Sequence, residues 1–130
     1  MDRWHASAVF FVSDAESSLR FYTEKLAFSL EWNYKQEGRT TVFSVSLHGF
    51  QLILNQIESS TADRVGHGRV FVGLKEGEES EALRKHIEEN QIETSVTWWG
   101  APTRVILDLD GNELYFWPSL ESGAEGGDPQ

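Results

Sequence analysis

The side chains that could do chemistry in this chain are limited in kind. It contains four histidines and 21 acidic residues but no cysteine. The absence of cysteine excludes disulfides, thiolate zinc sites, iron–sulfur clusters and cysteine nucleophiles. The sequence also lacks the order of a Ser-His-Asp triad, a phosphate-cradling glycine loop and a dinucleotide fingerprint. Two kinds of chemistry are left: metal binding by histidine and carboxylate, and ligand binding without a covalent step.

Aromatic residues are the second group of candidates, because their rings can stack on flat molecules. Trp98 and Trp99 are consecutive, so on an extended strand their side chains point to opposite faces. Trp32 and Tyr34 are two residues apart, which places both rings on one strand face. The sequence leaves two roles open for these rings: they either line a ligand site or pack in the core or a dimer interface.

The segments that must position these residues repeat along the chain. The stretch TVFSVSLHGFQLILN from Thr41 aligns without a gap with TRVILDLDGNELYFW from Thr103, which lies 62 positions later. The same offset aligns ASAVFFVSD from Ala6 with GRVFVGLKE from Gly68. Several matches at one offset indicate two homologous modules.

Hydrophobic periodicity predicts the element order β-α-β-β-β in each module. Asp14 is a good N-cap for the first helix, whose buried face would include Tyr22 and Leu26. The predicted strands are 8–13, 28–36, 41–47 and 51–56 in the first module and 69–74, 93–99, 103–109 and 113–118 in the second, whose helix is near 78–90. We expect modules at 1–56 and 68–118, a linker at 57–67 and a disordered tail at 119–130.

Strand alternation predicts which residues face the helices. Leu114 and Phe116 would face them, while Glu113, Tyr115 and Trp117 would lie on the other face. A sheet with helices on one face leaves the opposite face bare, and the apolar patch expected there is too large to leave in water. The patch would consist of Phe11, Phe71, Tyr115 and Trp117. This face is therefore predicted to curve around a ligand or to meet a partner.

Two stretches carry a family resemblance. VFFVSDAESSLRFYTEKLAFSLEW resembles the opening module of the vicinal oxygen chelate superfamily, and LDLDGNELYFW resembles its closing hairpin. That superfamily includes glyoxalase I, extradiol dioxygenases, and fosfomycin and bleomycin resistance proteins. The resemblance covers about residues 6–118. It implies an α+β fold of two βαβββ modules whose curved mixed sheet forms a crevice.

The resemblance also implies where a metal would be held. Metal-dependent members use two histidines and a glutamate, and the matching positions here are Ser7, Arg69 and Tyr115. None of these replaces a histidine or carboxylate ligand, and Arg69 would bring a positive charge to the place of the cation. The resemblance thus implies a member without a metal or other cofactor.

A displaced metal site is the alternative. His5, His67 and Glu113 each lie two residues before the vacant ligand positions. If they converged, the protein would be a metal-dependent lyase or dioxygenase of the glyoxalase type. Solvated histidines are common at strand ends, however, so the simpler interpretation makes them ordinary rim residues.

Without a metal, the resemblance implies a binding protein with no catalytic residue. In bleomycin resistance proteins a Trp-Gly at the position of Trp99 lines the crevice, and the tryptophan stacks on the drug. The predicted ligand-binding residues are Trp99, Trp32, Tyr34, Phe71, Arg69, Tyr115, Trp117 and Glu113. The carboxylates of Glu31 and Asp108 are also expected near the crevice. A scaffold with a collapsed crevice is a third option.

Charge and assembly complete these expectations. The net charge of −10 argues against a nucleic-acid partner and is compatible with a flat, hydrophobic, cationic ligand such as a bleomycin-like antibiotic. The bare sheet face predicts a homodimer with crevices at the subunit boundary. No apolar run reaches the length of a membrane span, and the first residues do not resemble a signal peptide, so a cytoplasmic location is expected.

Overall fold

The chain forms two four-stranded mixed sheets, one from each module. The computed structural model describes residues 6–57, 63–75 and 77–117. The first sheet has the order β1-β4-β3-β2, with β1 at Ala8–Val12, β2 at Ser29–Gln36, β3 at Arg39–Leu47 and β4 at Phe50–Gln56. The second has the order β5-β8-β7-β6, with β5 at Arg69–Gly73, β6 at Thr94–Trp98, β7 at Pro102–Leu107 and β8 at Glu113–Trp117. In each sheet the first and last strands of the module pair in parallel, and the predicted α+β fold of two βαβββ modules is confirmed.

Within the described part of the chain, each module contributes one helical segment. The first, α1, covers Ala15–Arg20 and continues as a π-helical turn at Phe21–Lys25, which the periodicity of the sequence does not predict. Asp14 caps it as predicted, since its Oδ2 accepts from the backbone N–H of Ser17 at 3.0 Å. The second helix, α2, covers Glu78–Glu89. No helix among the described residues is long and apolar enough to span a membrane.

One hydrophobic core joins the two modules on the helix side of both sheets. The predicted inward residues Phe10, Val12, Leu114 and Phe116 are all buried. The core cluster combines residues of the π-helical turn and of α2 with residues of both sheets, and Leu19 of α1 packs against it. Its members are Phe10, Val12, Tyr22, Leu26, Phe28, Val45, Leu52, Leu54, Leu83, Ile87, Ile106, Leu114 and Phe116. Because both sheets bury the face that carries the helices, the opposite face of each sheet, called here the open face, points away from this core.

The repeat contains a one-residue difference, so the gapless alignment is wrong for one strand. Leu52 pairs with Val45 in the first module, and Leu114 pairs with Ile106 in the second. Leu114 lies 62 positions after Leu52, but Ile106 lies only 61 positions after Val45. The hairpin between β7 and β8 is therefore one residue longer than the hairpin between β3 and β4.

The longer hairpin places Asp108 on a different face of the sheet from the one expected. A shift of one residue moves a strand residue to the other face of the sheet. Asp108 consequently takes the place of Leu47 and faces the core, where its side chain accepts a hydrogen bond from the Tyr22 hydroxyl at 2.9 Å. With 7% of its surface exposed, it does not lie near the open face, and the prediction that it sits at the crevice is wrong.

Asn112 fastens the two modules at their junction. This fully buried residue donates from Nδ2 to the Phe11 carbonyl at 3.3 Å and to Asp108 Oδ2 at 3.0 Å. Its Oδ1 accepts from the Gly68 N–H at 2.8 Å. One side chain thus ties β1 to the segment that leads into β5. The predicted tail, 119–130, and residues 58–62 of the predicted linker lie outside the described residues.

Candidate functional site

Most of the predicted binding residues lie together on the open face of the second sheet. The parallel register between β5 and β8 places Arg69 beside Glu113, and Phe71 beside Tyr115. Trp117 follows on the same face of β8 opposite Gly73, which has no side chain, and 45% of its surface is exposed. Alternation along two paired strands therefore gathers these side chains on one surface, as the sequence predicts.

Three aromatic rings form a stack on this surface. The Trp99 ring lies on the Tyr115 ring with centroids 4.6 Å apart and an interplanar angle of 14°. Phe71 flanks Trp99 at 6.1 Å and 26°. We call Phe71, Trp99 and Tyr115 the aromatic platform. Trp99 covers Tyr115, which is only 8% exposed, yet Trp99 itself remains 54% exposed. The prediction that Tyr115 is exposed in the apolar patch is therefore wrong, because Trp99 covers it.

A tight turn after β6 brings Trp99 over the sheet. Gly100 has φ of +79°, a conformation that glycine adopts without strain, and the Trp99 N–H donates to the Ala101 carbonyl at 3.1 Å. Trp98 pairs with Pro102, which lies four residues before the core residue Ile106 on β7 and therefore shares its face of the sheet. Trp98 and Trp99 therefore point to opposite faces, as predicted. The turn and the platform border a shallow cavity of about 380 Å³ lined by Phe71, Trp99, Gly100, Ala101, Thr103 and Trp117.

A charged pair lies at one edge of the platform. Glu113 Oε1 accepts a hydrogen bond from the Tyr115 hydroxyl at 2.5 Å and lies 3.1 Å from Arg69 Nε. The hydrogen bond to Glu113 raises the pKa of Tyr115, so this hydroxyl keeps its proton at neutral pH. We call Arg69, Glu113 and the Tyr115 hydroxyl the polar edge. It offers hydrogen-bonding groups directly beside stacked rings.

Trp32 and Tyr34 lie elsewhere, on the outer strand of the first sheet. Their register partners on β3 are Ser44 and Val42, so both side chains are on the open face of that sheet. Both rings are about half exposed. Among the described residues, no ring contact joins them to the platform. The predicted binding residues thus divide into two groups, one on each sheet.

Comparison with known proteins places the chain in a family. Residues 5–116 match the family model of the Glyoxalase/Bleomycin resistance protein/Dioxygenase superfamily. The protein belongs to this superfamily. The resemblance stated from the sequence is confirmed. No curated protein matches the chain in sequence.

Solved structures share this superfamily fold at low sequence identity. A glyoxalase/bleomycin resistance protein from Catenulispora acidiphila has a TM-score of 0.65 at 18% identity, covering 88% of this chain and 96% of that one. An antibiotic binding protein from a Streptomyces species has a TM-score of 0.63 at 20% identity, covering 89% and 96%. A lactoylglutathione lyase from Agrobacterium tumefaciens has a TM-score of 0.61 at 15% identity, covering 89% and 94%. At these identities the likeness concerns the fold.

The positions that bind metal in metal-dependent members of the superfamily do not suit a cation here. Ser7 Oγ donates to Gln51 Oε1 at 3.1 Å, so this hydroxyl is part of a side-chain hydrogen bond. Arg69 carries a positive charge beside Glu113, and Tyr115 is covered by Trp99. A divalent ion prefers carboxylate and imidazole ligands, which this set does not supply.

The displaced site is not assembled by the residues that the structure describes. Within 6–57, 63–75 and 77–117, no three His, Cys, Asp or Glu side chains are grouped as a metal site would require. His67 is exposed, and Glu113 already contacts Arg69 and the Tyr115 hydroxyl. His5 lies outside the described residues.

One charged residue of this region is absent from the sequence-based site. The Arg64 guanidinium lies over the Phe11 ring, 5.7 Å from its centroid. Phe11 is on the open face of β1, opposite the buried Phe10 and Val12. Arg64 belongs to the irregular connection between the modules, where no periodicity assigns a side-chain direction. Nothing in the local sequence would have placed it over a ring.

Proposed function

We propose that this protein binds and sequesters a flat, hydrophobic small molecule of the antibiotic type, without catalysing its conversion. The observation that carries this proposal is the exposed tryptophan of the platform. Trp99 rests on Tyr115 and is still 54% exposed, so a second flat molecule has a ring to stack on. The similarity in fold to the antibiotic binding protein from Streptomyces supports the proposal.

Sequestration of this kind is physically feasible on the platform. Stacking contributes ~0.5–1.5 kcal/mol beyond the burial of apolar area, and binding with micromolar affinity requires about −8 kcal/mol in total. The platform is already assembled, because the Trp99–Tyr115 stack and the Gly100 turn hold the ring in place. Little ordering of the protein would therefore oppose binding.

We also propose that the binding crevice is completed in a homodimer. The open faces expose several large apolar residues, including Trp32 and Tyr34 on one sheet and Phe71 and Trp117 on the other. A second copy that lays its first sheet against the second sheet would cover both groups. The ring pair of one subunit would then face the aromatic platform of the other across a shared crevice.

Tryptophan fluorescence tests the binding proposal directly. The full chain is titrated with a panel of bleomycins and other planar antibiotics, with and without added divalent metal. We expect quenching that does not depend on metal and that weakens in Trp99→Phe but persists in Trp98→Phe, the matched control on the opposite face. Quenching lost equally in both variants would contradict the assignment of Trp99.

The same titration distinguishes the enzyme alternative. A metal-dependent lyase or dioxygenase would bind nickel or zinc tightly and stoichiometrically while none of the planar ligands quenched its fluorescence. That result would overturn the sequestration proposal. His5→Ala and His67→Ala would then each be expected to abolish metal binding.

A further inference from the structure

The polar edge leaves a guanidinium facing solvent beside the platform. Arg69 Nε contacts Glu113 Oε1 at 3.1 Å, and beyond this contact the guanidinium has no bond to any residue in the described part of the chain. The Arg69 side chain is 70% exposed. Glu113 thus orients the guanidinium from one side, while its terminal nitrogens remain available. A guanidinium edge of this kind matches a carboxylate by two parallel hydrogen bonds.

The position of Arg69 relative to the rings fits one flat ligand. Arg69 and Phe71 are two residues apart on β5 and point to the same face, so their Cα atoms are ~7 Å apart. Trp99 lies beside Phe71 over the neighbouring strand. A fused aromatic ring stacked on the platform would bring a substituent on its edge within reach of the guanidinium.

Two arginines lie at or near the start of β5 in an acidic protein. The segment 63–69 contains Arg64, His67 and Arg69 against a single acidic residue, Asp63, although the chain as a whole has a net charge of −10. The Arg64 guanidinium is held on the open side by the Phe11 ring. The guanidinium groups of Arg64 and Arg69 thus lie on the open faces, and Glu113 is the acidic neighbour of Arg69.

We infer that the ligand of the platform is a planar aromatic molecule with an anionic oxygen group of the carboxylate type, and that Arg69 determines this preference. The inference rests on the proposed binding function and deepens it by naming the charge of the ligand. It departs from the cationic ligand expected from net charge. The overall charge acts at long range and is screened by salt, whereas Arg69 would act within hydrogen-bonding distance.

Three naphthalene derivatives test this inference on the full chain at neutral pH. The probes are 2-naphthoate, its neutral amide and the cationic 2-naphthylmethylamine, with affinities measured by calorimetry. We expect 2-naphthoate to bind about ten- to a hundred-fold more tightly than the amide. Arg69→Gln should lower the affinity for 2-naphthoate to that for the amide, and should change the affinity for the amide by no more than about twofold. Arg69→Lys should retain part of the preference for 2-naphthoate over the amide.

The control variant and the contrary outcomes separate the two proposals. Arg39→Gln changes an exposed arginine of the first sheet and should leave all three affinities unchanged. Equal binding of 2-naphthoate and its amide, unaffected by Arg69→Gln, would overturn the inference and leave the platform as a binding site. Tightest binding of the amine would also overturn the inference, in favour of a cationic ligand. Failure of all three probes to bind would contradict both proposals.

Discussion

The Tyr22 hydroxyl of the first module donates a hydrogen bond to Asp108 Oδ2 of the second module, 2.9 Å away inside the shared core. Tyr22 is fully buried, and burial raises the pKa of both groups. The Asp108 carboxylate also accepts from the backbone N–H groups of Asp110 and Asn112, each at 2.9 Å. A tyrosine on the helical segment of one module is therefore bound to the hairpin of the other.

Replacing this tyrosine tests how much the contact contributes. Tyr22→Phe keeps the ring but removes the donor to a buried carboxylate, so the free energy of unfolding should fall by ~1–3 kcal/mol. Tyr34→Phe removes a hydroxyl for which no hydrogen bond is found within the described residues, so this variant should stay within ~0.5 kcal/mol of the wild type. Urea unfolding measures both variants. Equal stability of the two variants would show that the buried hydrogen bond contributes nothing.

Two aspartates, Asp14 at the start of α1 and Asp108 in the β7–β8 hairpin, should give opposite pH dependences of stability. Burial raises the pKa of Asp108 above its ordinary 3.8, so its contribution is fully present below that value and is lost as pH rises through the higher folded-state pKa. The hydrogen bonds from Ser17 lower the pKa of Asp14, so its contribution is present above 3.8 and is lost as pH falls through the lower folded-state pKa.

Unfolding at a series of pH values measures these slopes. The stability of the wild type minus that of Asp108→Asn should decrease as pH rises above 3.8, and the difference from Asp14→Asn should increase with pH through the acid range. Asparagine is used at both sites because it removes the titration and is itself a good N-cap. Slopes of the same sign would refute the assignment.

Gly66 should tolerate substitution much less well than another glycine with the same backbone conformation. Gly66 has φ of +83°, and a Cβ there would lie 2.2 Å from the Asp110 carbonyl oxygen. Gly38 has φ of +80° with nothing within 4 Å of its Cβ position. Gly38→Ala should therefore cost only the ~1–2 kcal/mol of a left-handed alanine, and Gly66→Ala clearly more. Thermal unfolding compares them, and equal melting temperatures would contradict the close approach.

Trp99→Ala should affect binding more than folding. Because Trp99 is half exposed and contacts Tyr115 on one side, its loss should lower stability by less than the ~3–5 kcal/mol typical of a buried tryptophan. Ligand affinity should fall about ten- to a hundred-fold. Thermal unfolding and ligand titration of the same preparation measure the two effects. A variant that melts far lower but binds normally when folded would show that Trp99 serves packing alone.

The protein should sediment at about twice the 14.8 kDa mass of one chain at micromolar concentration. Tyr34→Glu places a charge on the open face of β2 and should shift the mass toward one chain. Asn33→Glu adds the same charge to the opposite face of the same strand, where Asn33 pairs with Phe43, and should leave the dimer intact. A wild type that sediments as a single chain would refute the shared crevice.

Local patterns predicted most of the fold. The capping role of Asp14 and the inward direction of Phe10 and Leu114 follow from residue type and alternation within a few positions, so they could be predicted without knowing the tertiary structure. The face of Asp108 could not, because one extra hairpin residue shifts the register while leaving the two segments alignable without a gap.

Only the part of the candidate site that depends on strand alternation could be predicted from the sequence. Phe71 and Tyr115 share a face by strand alternation alone. The covering of Tyr115 depends on the turn at Gly100, which brings Trp99 from the end of β6 over β8, two strands away in the sheet. Arg64 contacts Phe11 from an irregular segment. Such contacts depend on the tertiary structure, and the hydrophobic periodicity of a single segment does not predict them.

Because of the extra residue in the second hairpin, the two modules of the duplicated chain present different side chains to the Tyr22 hydroxyl. Leu47 occupies in the first hairpin the place that Asp108 holds in the second. A Tyr22 hydroxyl placed against another first module would meet leucine and lose its acceptor, at a cost of ~1–3 kcal/mol for an unpaired buried polar group. Duplicated modules could otherwise associate like with like. This single insertion therefore selects the pairing of unlike halves over the pairing of identical ones.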